Sequence, residues 1–138
     1  MSVVVTDAGF GPADIAEGQA LPLDALLAGE APETGPLVVD FPNDRDPAAL
    51  VPWLDRLALV RGAFPAPGDG RGFSIAHRIR DLGYAGRLRA LGPLIADQYT
   101  AARATGFDEV EIPDALAARQ PEPLWIRRRA SYQARVRA

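Results

Sequence analysis

Apolar positions along the chain change period several times, and the changes predict an alternation of strands and helices. Ser2-Val3-Val4-Val5-Thr6 is β-branched and reads as a short strand. The turn-rich stretch Gly9 to Gly18 follows, so a small hairpin or arm is expected there. Leu21 to Leu27 reads as a short helix. Residues 28–36, with Gly29, Pro32, Gly35 and Pro36, form a linker. Leu37-Val38-Val39-Asp40-Phe41 is a strand stopped by Pro42. Asp46-Pro47 is a helix start, with the aspartate as N-cap and the proline at the first helical position. Leu50, Trp53, Leu54 and Leu57 then form one apolar stripe at helical spacing, against which only Pro52 counts.

Residues 57–64 predict a second strand, running into the loop Pro65–Gly70. Ile75, Ile79 and Leu82, with Phe73 and Ala76 beside them, predict a helix that Gly83 ends. Arg87 to Leu91 is a third strand, Leu94 to Thr105 a helix closed by Gly106, and Phe107 to Ile112 a fourth strand. The tail from Leu124 to Val136 reads as a basic, weakly amphipathic helix. Strands alternating with helices imply right-handed parallel βαβ units. The expected fold class is therefore α/β: four or so parallel βα units, half-TIM-barrel-like or a small open sheet, with a short N-terminal β arm. The expected organisation is one domain over 1–138. Its parts are an arm and linker (1–35), a βα core (36–115) and a basic C-terminal helix (116–138). A half barrel leaves open edges, which favours a homodimer.

Composition narrows the chemistry. The 138 residues include no cysteine and one histidine, His77. Thiolate nucleophiles, zinc–thiolate sites and multi-histidine metal sites within the chain are thereby excluded. All 15 basic residues are arginine, which excludes lysine Schiff-base chemistry and a P-loop lysine. Any redox chemistry would need a bound organic cofactor or a partner. No apolar run approaches the roughly 18 residues of a membrane span, and Met1 to Val5 lacks a secretory pattern, so a cytoplasmic location is expected. Charge is uneven. Residues 1–60 hold ten acids and two arginines, net −8, whereas residues 61–138 hold eight acids and 13 arginines, net +5. Solvated helix faces account for most such asymmetry, and an acidic partner or an anion is the functional reading.

Parallel α/β proteins gather function at the carboxyl ends of their strands. Those ends carry Asp40, Asn43 and Asp44, then Asp69, Arg71 and Ser74, then Gly92, Asp97 and Gln98, then Glu111 and Asp114, with Arg89 inside the third strand. Gly68-Asp69-Gly70-Arg71-Gly72 opens a helix, where free N–H groups and an arginine fork suit an anion. The bland alternative is a tight turn capped by Asp69. Asp40, Asp69, Asp97 and Glu111 have the oxygen chemistry for Mg²⁺ but no spacing that brings them together, so no metal is expected. Ser74, His77 and Asp81 share one helix face, which is a solvated face rather than a catalytic triad. Arg127-Arg128-Arg129 with Trp125 and Tyr132 suits an acidic protein partner better than nucleic acid, since the rest of the chain is acidic and no nucleic-acid motif is present.

These motifs together carry a resemblance. Asp69-Gly70-Arg71-Gly72-Phe73-Ser74-Ile75-Ala76, then Leu82-Gly83-Tyr84-Ala85-Gly86-Arg87-Leu88-Arg89-Ala90-Leu91-Gly92, then Asp97-Gln98 and Gly106-Phe107-Asp108, are similar to the bacterial family catalogued as domain of unknown function 934. The similarity spans residues 36–112. His77 and Pro93 depart from the family pattern, which has arginine and aspartate at those positions. Members are described as probable oxidoreductases involved in sulfite reduction, on the grounds of gene neighbourhood. The resemblance implies an accessory protein of assimilatory sulfite reduction that binds an anionic ligand or a partner such as sulfite reductase. Its implied site is Asp69, Gly70, Arg71, Gly72, Ser74, Arg89, Asp97 and Gln98, in which Arg71 and Arg89 would hold an anion. The alternatives are an oxidoreductase with a flavin or nicotinamide nucleotide on the Gly70–Gly72 turn, and an interaction domain without a ligand site.

Overall fold

A computed structural model describes residues 1–16, 18–66 and 68–125. The first β-branched run and the glycine-rich turn after it form a hairpin of β1 (Ser2–Thr6) and β2 (Gly9–Pro12). Five further strands run parallel to one another: β3 (Leu21–Pro22), β4 (Leu37–Phe41), β5 (Leu57–Ala63), β6 (Arg87–Leu91) and β7 (Glu109–Pro113). The hairpin joins antiparallel to β7, giving one open sheet in the order β2-β1-β7-β6-β5-β4-β3. The sheet does not close into a barrel. Its helices are α1 (Leu23–Leu27), α2 (Arg71–Asp81), α3 (Tyr99–Thr105) and α4 (Asp114–Arg119).

Each parallel strand lies beside its predecessor in the chain. Right-handed crossovers then put every connection on the same face of the sheet. Val39, Val60, Leu88, Ala90, Val110 and Ile112 point to that face and are fully buried in one core. Their neighbours point the other way. Asp40, Arg61, Arg89 and Glu109 stand in register across four strands on the other face, which carries no helix among the described residues.

Phe64, just past β5, plugs the core between α2 and the strand ends. Its ring packs edge-on to Phe73 with centroids 5.0 Å apart, and lies 5.7 Å from Phe107. Two glycines exist to admit it. A Cβ on Gly72 would overlap the Phe64 ring, and one on Gly92, where φ is +149°, would overlap the Phe64 carbonyl. Arg80 stitches the opposite, amino-terminal edge. It donates to the carbonyls of Tyr84, Gly86 and Gly106 and to the Asp108 carboxylate, and lies over the Tyr84 ring. Asp108 in turn accepts from the Leu88 amide.

Several sequence expectations are corrected in detail. The stripe after Asp46 is a 3₁₀ helix over Pro47–Trp53, because Pro52 has no N–H to continue an α-helix; Asp46 still caps it by accepting from the Ala48 amide. Leu21 and Pro22 pair with Val39 and Asp40 as an edge strand, and the helix begins only at Leu23. The helix expected from Leu94 begins as a 3₁₀ turn at Ala96–Gln98 and becomes α-helical at Tyr99. The fourth core strand starts at Glu109, since Phe107 and Asp108 serve the core and the Arg80 clamp. The basic tail lies beyond Trp125, outside the described residues.

The glycines of the 70–72 turn separate by their surroundings. Gly70 has φ −77° and nothing within 4 Å of a built Cβ. Gly70→Ala is therefore expected to be neutral or to stabilise by up to ~1 kcal/mol. Gly72→Ala should cost about 1–3 kcal/mol by overpacking Phe64, and Gly92→Ala should cost more than ~1 kcal/mol because its backbone is also incompatible. Urea unfolding of the three variants checks the order.

Candidate functional site

The helix-free face is built from charged residues at alternate strand positions. Arg89 is completely buried there. Its Nε donates to Glu109 at 3.1 Å, Nη1 to Glu111 at 2.8 Å, and Nη2 to Asp14 at 2.7 Å. Asp14 comes from the segment that follows β2, so the arm reaches across the sheet to complete the set; its second oxygen accepts from Arg87 at 3.0 Å. Glu111 also accepts from the Ser2 hydroxyl of β1 at 2.7 Å and from Arg61 at 3.3 Å. Arg61 forks onto Asp40, with Nε to Oδ1 at 2.6 Å and Nη2 to Oδ2 at 2.9 Å. One chain of ion pairs thus runs from β4 to β7, and the Ser2 hydroxyl ties it to β1. Burial alone would raise the Glu111 carboxyl, but the Ser2 and Arg89 hydrogen bonds and the Arg61 charge outweigh it and hold it below its ordinary 4.5. Asp14 behaves likewise: burial is outweighed by its bonds from Arg89 and Arg87.

At the carboxyl ends of β4, β5 and β6 this lattice meets a cavity of about 340 Å³. Leu23, Phe41, Ala63 and Leu91 supply apolar walls, and Asp24, Asp40 and Arg61 supply the polar lining. This is the size and make-up of a small-molecule pocket, at the end of the strands where α/β folds bind ligands.

The residues expected from sequence divide into separate places. Asp69 and Arg71 do meet. The Asp69 carboxylate accepts from the Arg71 amide and from its Nε and Nη2, and Asn43 donates to its other side. Those arginine bonds pull the Asp69 carboxyl down to about 2. Arg71 is mostly exposed beside this turn, as are Gly70 and Ser74. Gly72 is buried against Phe64 instead of facing a ligand. Gln98 closes the turn before α3, where its side chain accepts from the Ile95 amide, and Asp97 is exposed on the same turn. Arg89 belongs to the sheet-face lattice. Its hydrogen bonds go to Asp14, Glu109 and Glu111, so it does not form one anion-binding fork with Arg71. His77 is exposed, 3.4 Å from Asp81, on the solvated face of α2. The four acids weighed for Mg²⁺ do not gather: Arg61 bridges Asp40 and Glu111, whereas Asp69 pairs with Arg71. Among the described residues no three histidine, aspartate or glutamate side chains form a metal-binding group.

Sequence reasoning missed Arg61, Asp14 and Glu109 as site residues. The signal was present in the strands themselves. A parallel strand is normally apolar on both faces, yet Asp40, Arg61, Arg87, Arg89, Glu109 and Glu111 interrupt these at alternate positions. Asp14 carries no such signal, because its partners come from a long-range fold of the arm.

A singly wound, open α/β sheet with one ionic face and a cavity at its carboxyl edge is the class of protein defined here. The chain belongs to the family described as Bacterial protein of unknown function (DUF934), whose pattern matches residues 38–138. No curated protein and no solved structure matches it. Among the described residues no helix is long and apolar enough to cross a membrane.

Removing Arg89 strands two buried glutamates, so Arg89→Met should cost about 3–5 kcal/mol in chemical unfolding. Because the Glu111 carboxyl is depressed in the folded state, the stability it contributes is full above its ordinary value and is lost as pH falls through the folded value. Melting temperature should therefore fall as pH drops below the ordinary glutamate value, and Glu111→Gln should lower the curve at neutral pH while making that acid limb shallower. An acid limb identical to wild type would contradict this role for Glu111.

Proposed function

We propose that this chain is a cytoplasmic accessory protein of assimilatory sulfite reduction that works by binding a small amphipathic ligand in the carboxyl-edge cavity. The observation that carries the reading is the cavity itself: ligand-sized, apolar on most walls, with the Arg61–Asp40 pair at one side. Asp40 is held by Arg61 in one orientation, so its remaining lone pairs are aimed before a ligand arrives, which lowers the cost of binding. The sulfur-assimilation setting comes from the family resemblance, and it makes sulfite reductase or another protein of that system the partner. The sheet edges at β2 and β3 are the surfaces through which two copies would pair.

The cofactor-dependent alternative has less support. A nucleotide on the 70–72 turn needs close backbone approach at the glycines, and Gly72 is already occupied on its open side by Phe64.

The reading is tested in the host. A strain lacking the gene should grow slowly on sulfate as sole sulfur source and normally on cysteine. The wild-type gene should restore growth. Ala63→Trp, which fills the cavity, should not, although its melting temperature stays near wild type. Normal growth of the deletion strain on sulfate rules the proposal out.

A further inference from the structure

The ion lattice on the sheet face is one cation short. Among the described residues its ion pairs join four carboxylates, Asp14, Asp40, Glu109 and Glu111, to three guanidinium groups, Arg61, Arg87 and Arg89. Arg87 and Arg89 together match the charge of Asp14 and Glu109, which both of them bond. Arg61 is then the one further cation for two carboxylates, Asp40 at 2.6 Å and Glu111 at 3.3 Å. One negative charge is left over.

A ligand can reach that charge at the carboxyl-edge cavity. Glu111 is buried, whereas the Asp40 side chain is 37% exposed and lines the cavity. Asp14, the other exposed carboxylate of the lattice, is bonded by two arginines and is not part of that lining. Strand register puts the lining together: Pro22, Asp40 and Arg61 lie side by side, and Ala63 and Leu91 follow two residues beyond Arg61 and Arg89 on the same face. Each Asp40 oxygen accepts one N–H from Arg61 and makes no other hydrogen bond among the described residues, so each keeps a lone pair for a donor. Asp24 is the second carboxylate of the lining and is 81% exposed; its Oδ1 accepts from Arg45, which does not line the cavity. The Arg61 guanidinium is committed to Asp40 and Glu111.

We propose that the carboxyl-edge cavity takes a small organic cation, with an ammonium head donating to Asp40, Asp24 adding negative charge, and an apolar body against Leu23, Ala63 and Leu91. This inference rests on reading the cavity as the ligand site, and it adds the chemical class of the ligand. An ammonium group offers only donors and an ionised carboxylate only acceptors, and the bonds between them are charge-assisted. An anionic head would meet acceptors with acceptors and like charge with like, which excludes the wrong ligand as well as favouring the right one.

The test is titration of the full chain with three probes of one shape and different head charge: phenethylammonium, 2-phenylethanol and 3-phenylpropanoate. Amide NMR shifts at Ala63 and Leu91 are followed at neutral pH and constant ionic strength. Phenethylammonium should bind about tenfold or more tighter than the alcohol, the worth of a charge-assisted hydrogen bond, and the carboxylate should bind weakest. Asp40→Asn keeps the shape of the side chain and should remove the advantage of the cation over the alcohol. Asp24→Asn, at the more exposed position, should weaken the cation by a smaller factor. Ala63→Trp should abolish the shifts with all three probes, which fixes the binding in this cavity. Equal affinity for cation and alcohol, tightest binding of the carboxylate, or an undiminished preference for the cation in Asp40→Asn overturns the cation assignment and leaves the cavity as the ligand site. No saturable shift with any of the three probes overturns the assignment together with that reading of the cavity.

Discussion

Arg89 is a fully buried guanidinium on a face of the sheet that no helix covers among the described residues, and much of the architecture is the consequence of keeping it paired. Parallel sheets usually hide both faces under helices. This one winds in a single direction, so all crossovers fall on one side and the other side must be sealed differently. Glu109 and Glu111 of β7, Asp14 of the arm and Arg61 of β5 provide that seal as an ion lattice. Such a lattice is not a cheap source of stability, because each charge loses its hydration when buried. What it supplies is register. A slip of one residue in β6 would turn Arg89 into the apolar core and Leu88 or Ala90 onto the ionic face, which no neighbouring strand could accommodate.

The same constraint explains why the N-terminal hairpin belongs to the sheet. β1 pairs antiparallel with β7 and brings Ser2 to Glu111, while the chain beyond β2 brings Asp14 to Arg89 and Arg87. On the helical side, Phe10 and Tyr99 meet Trp125, and Glu122 accepts from the Phe10 amide, so the arm is held by both faces. The family motifs sort by position on this frame. Tyr84, Gly86, Gly106 and Asp108 are drawn together by Arg80 at the amino edge. Asp69 and Arg71 lock a turn at the carboxyl edge, and Gly72 and Gly92 make room for Phe64. A motif that looks like one ligand cradle in the sequence is, in space, several structural devices at different ends of the strands.

What was legible in the sequence followed from local periodicity. The third strand is found at Arg87–Leu91 as expected, and Gly83 and Gly106, both with positive φ, follow the helices they were expected to end. The α/β class with its β arm was readable as well, because alternating strand and helix patterns leave few topologies, but only the structure decides for the open sheet over a half barrel. Where one proline or a tertiary demand overrides a pattern, periodicity fails. Pro52 turns an apolar stripe into a 3₁₀ helix, and pairing with β4 claims Leu21 and Pro22 for the sheet. The site was less legible, for a physical reason. Carboxyl-end logic points to residues after strands, whereas the lattice uses residues within them, and Asp14 meets Arg89 across 75 positions of chain.

The directions of the shifted carboxyls favour recognition over acid–base catalysis. A general acid or base works best when its pKa lies near the operating pH, which for a carboxylate means a raised value. Asp14, Asp69 and Glu111 all move the other way, because each is bonded by arginines or backbone amides that favour the charged form. The Tyr84 hydroxyl is pushed up to about 12 by burial and donates to the Arg87 carbonyl, so it too stays fixed in one protonation state. At neutral pH these groups neither give up nor take up a proton. The arginines that hold these carboxylates also hold them in fixed directions, and the Arg61–Asp40 fork does the same at the wall of the carboxyl-edge cavity. A frame whose charges are locked in pairs is suited to discriminating among ligands by shape and by the placement of donors and acceptors, and the proposed binding role rests on that physical basis.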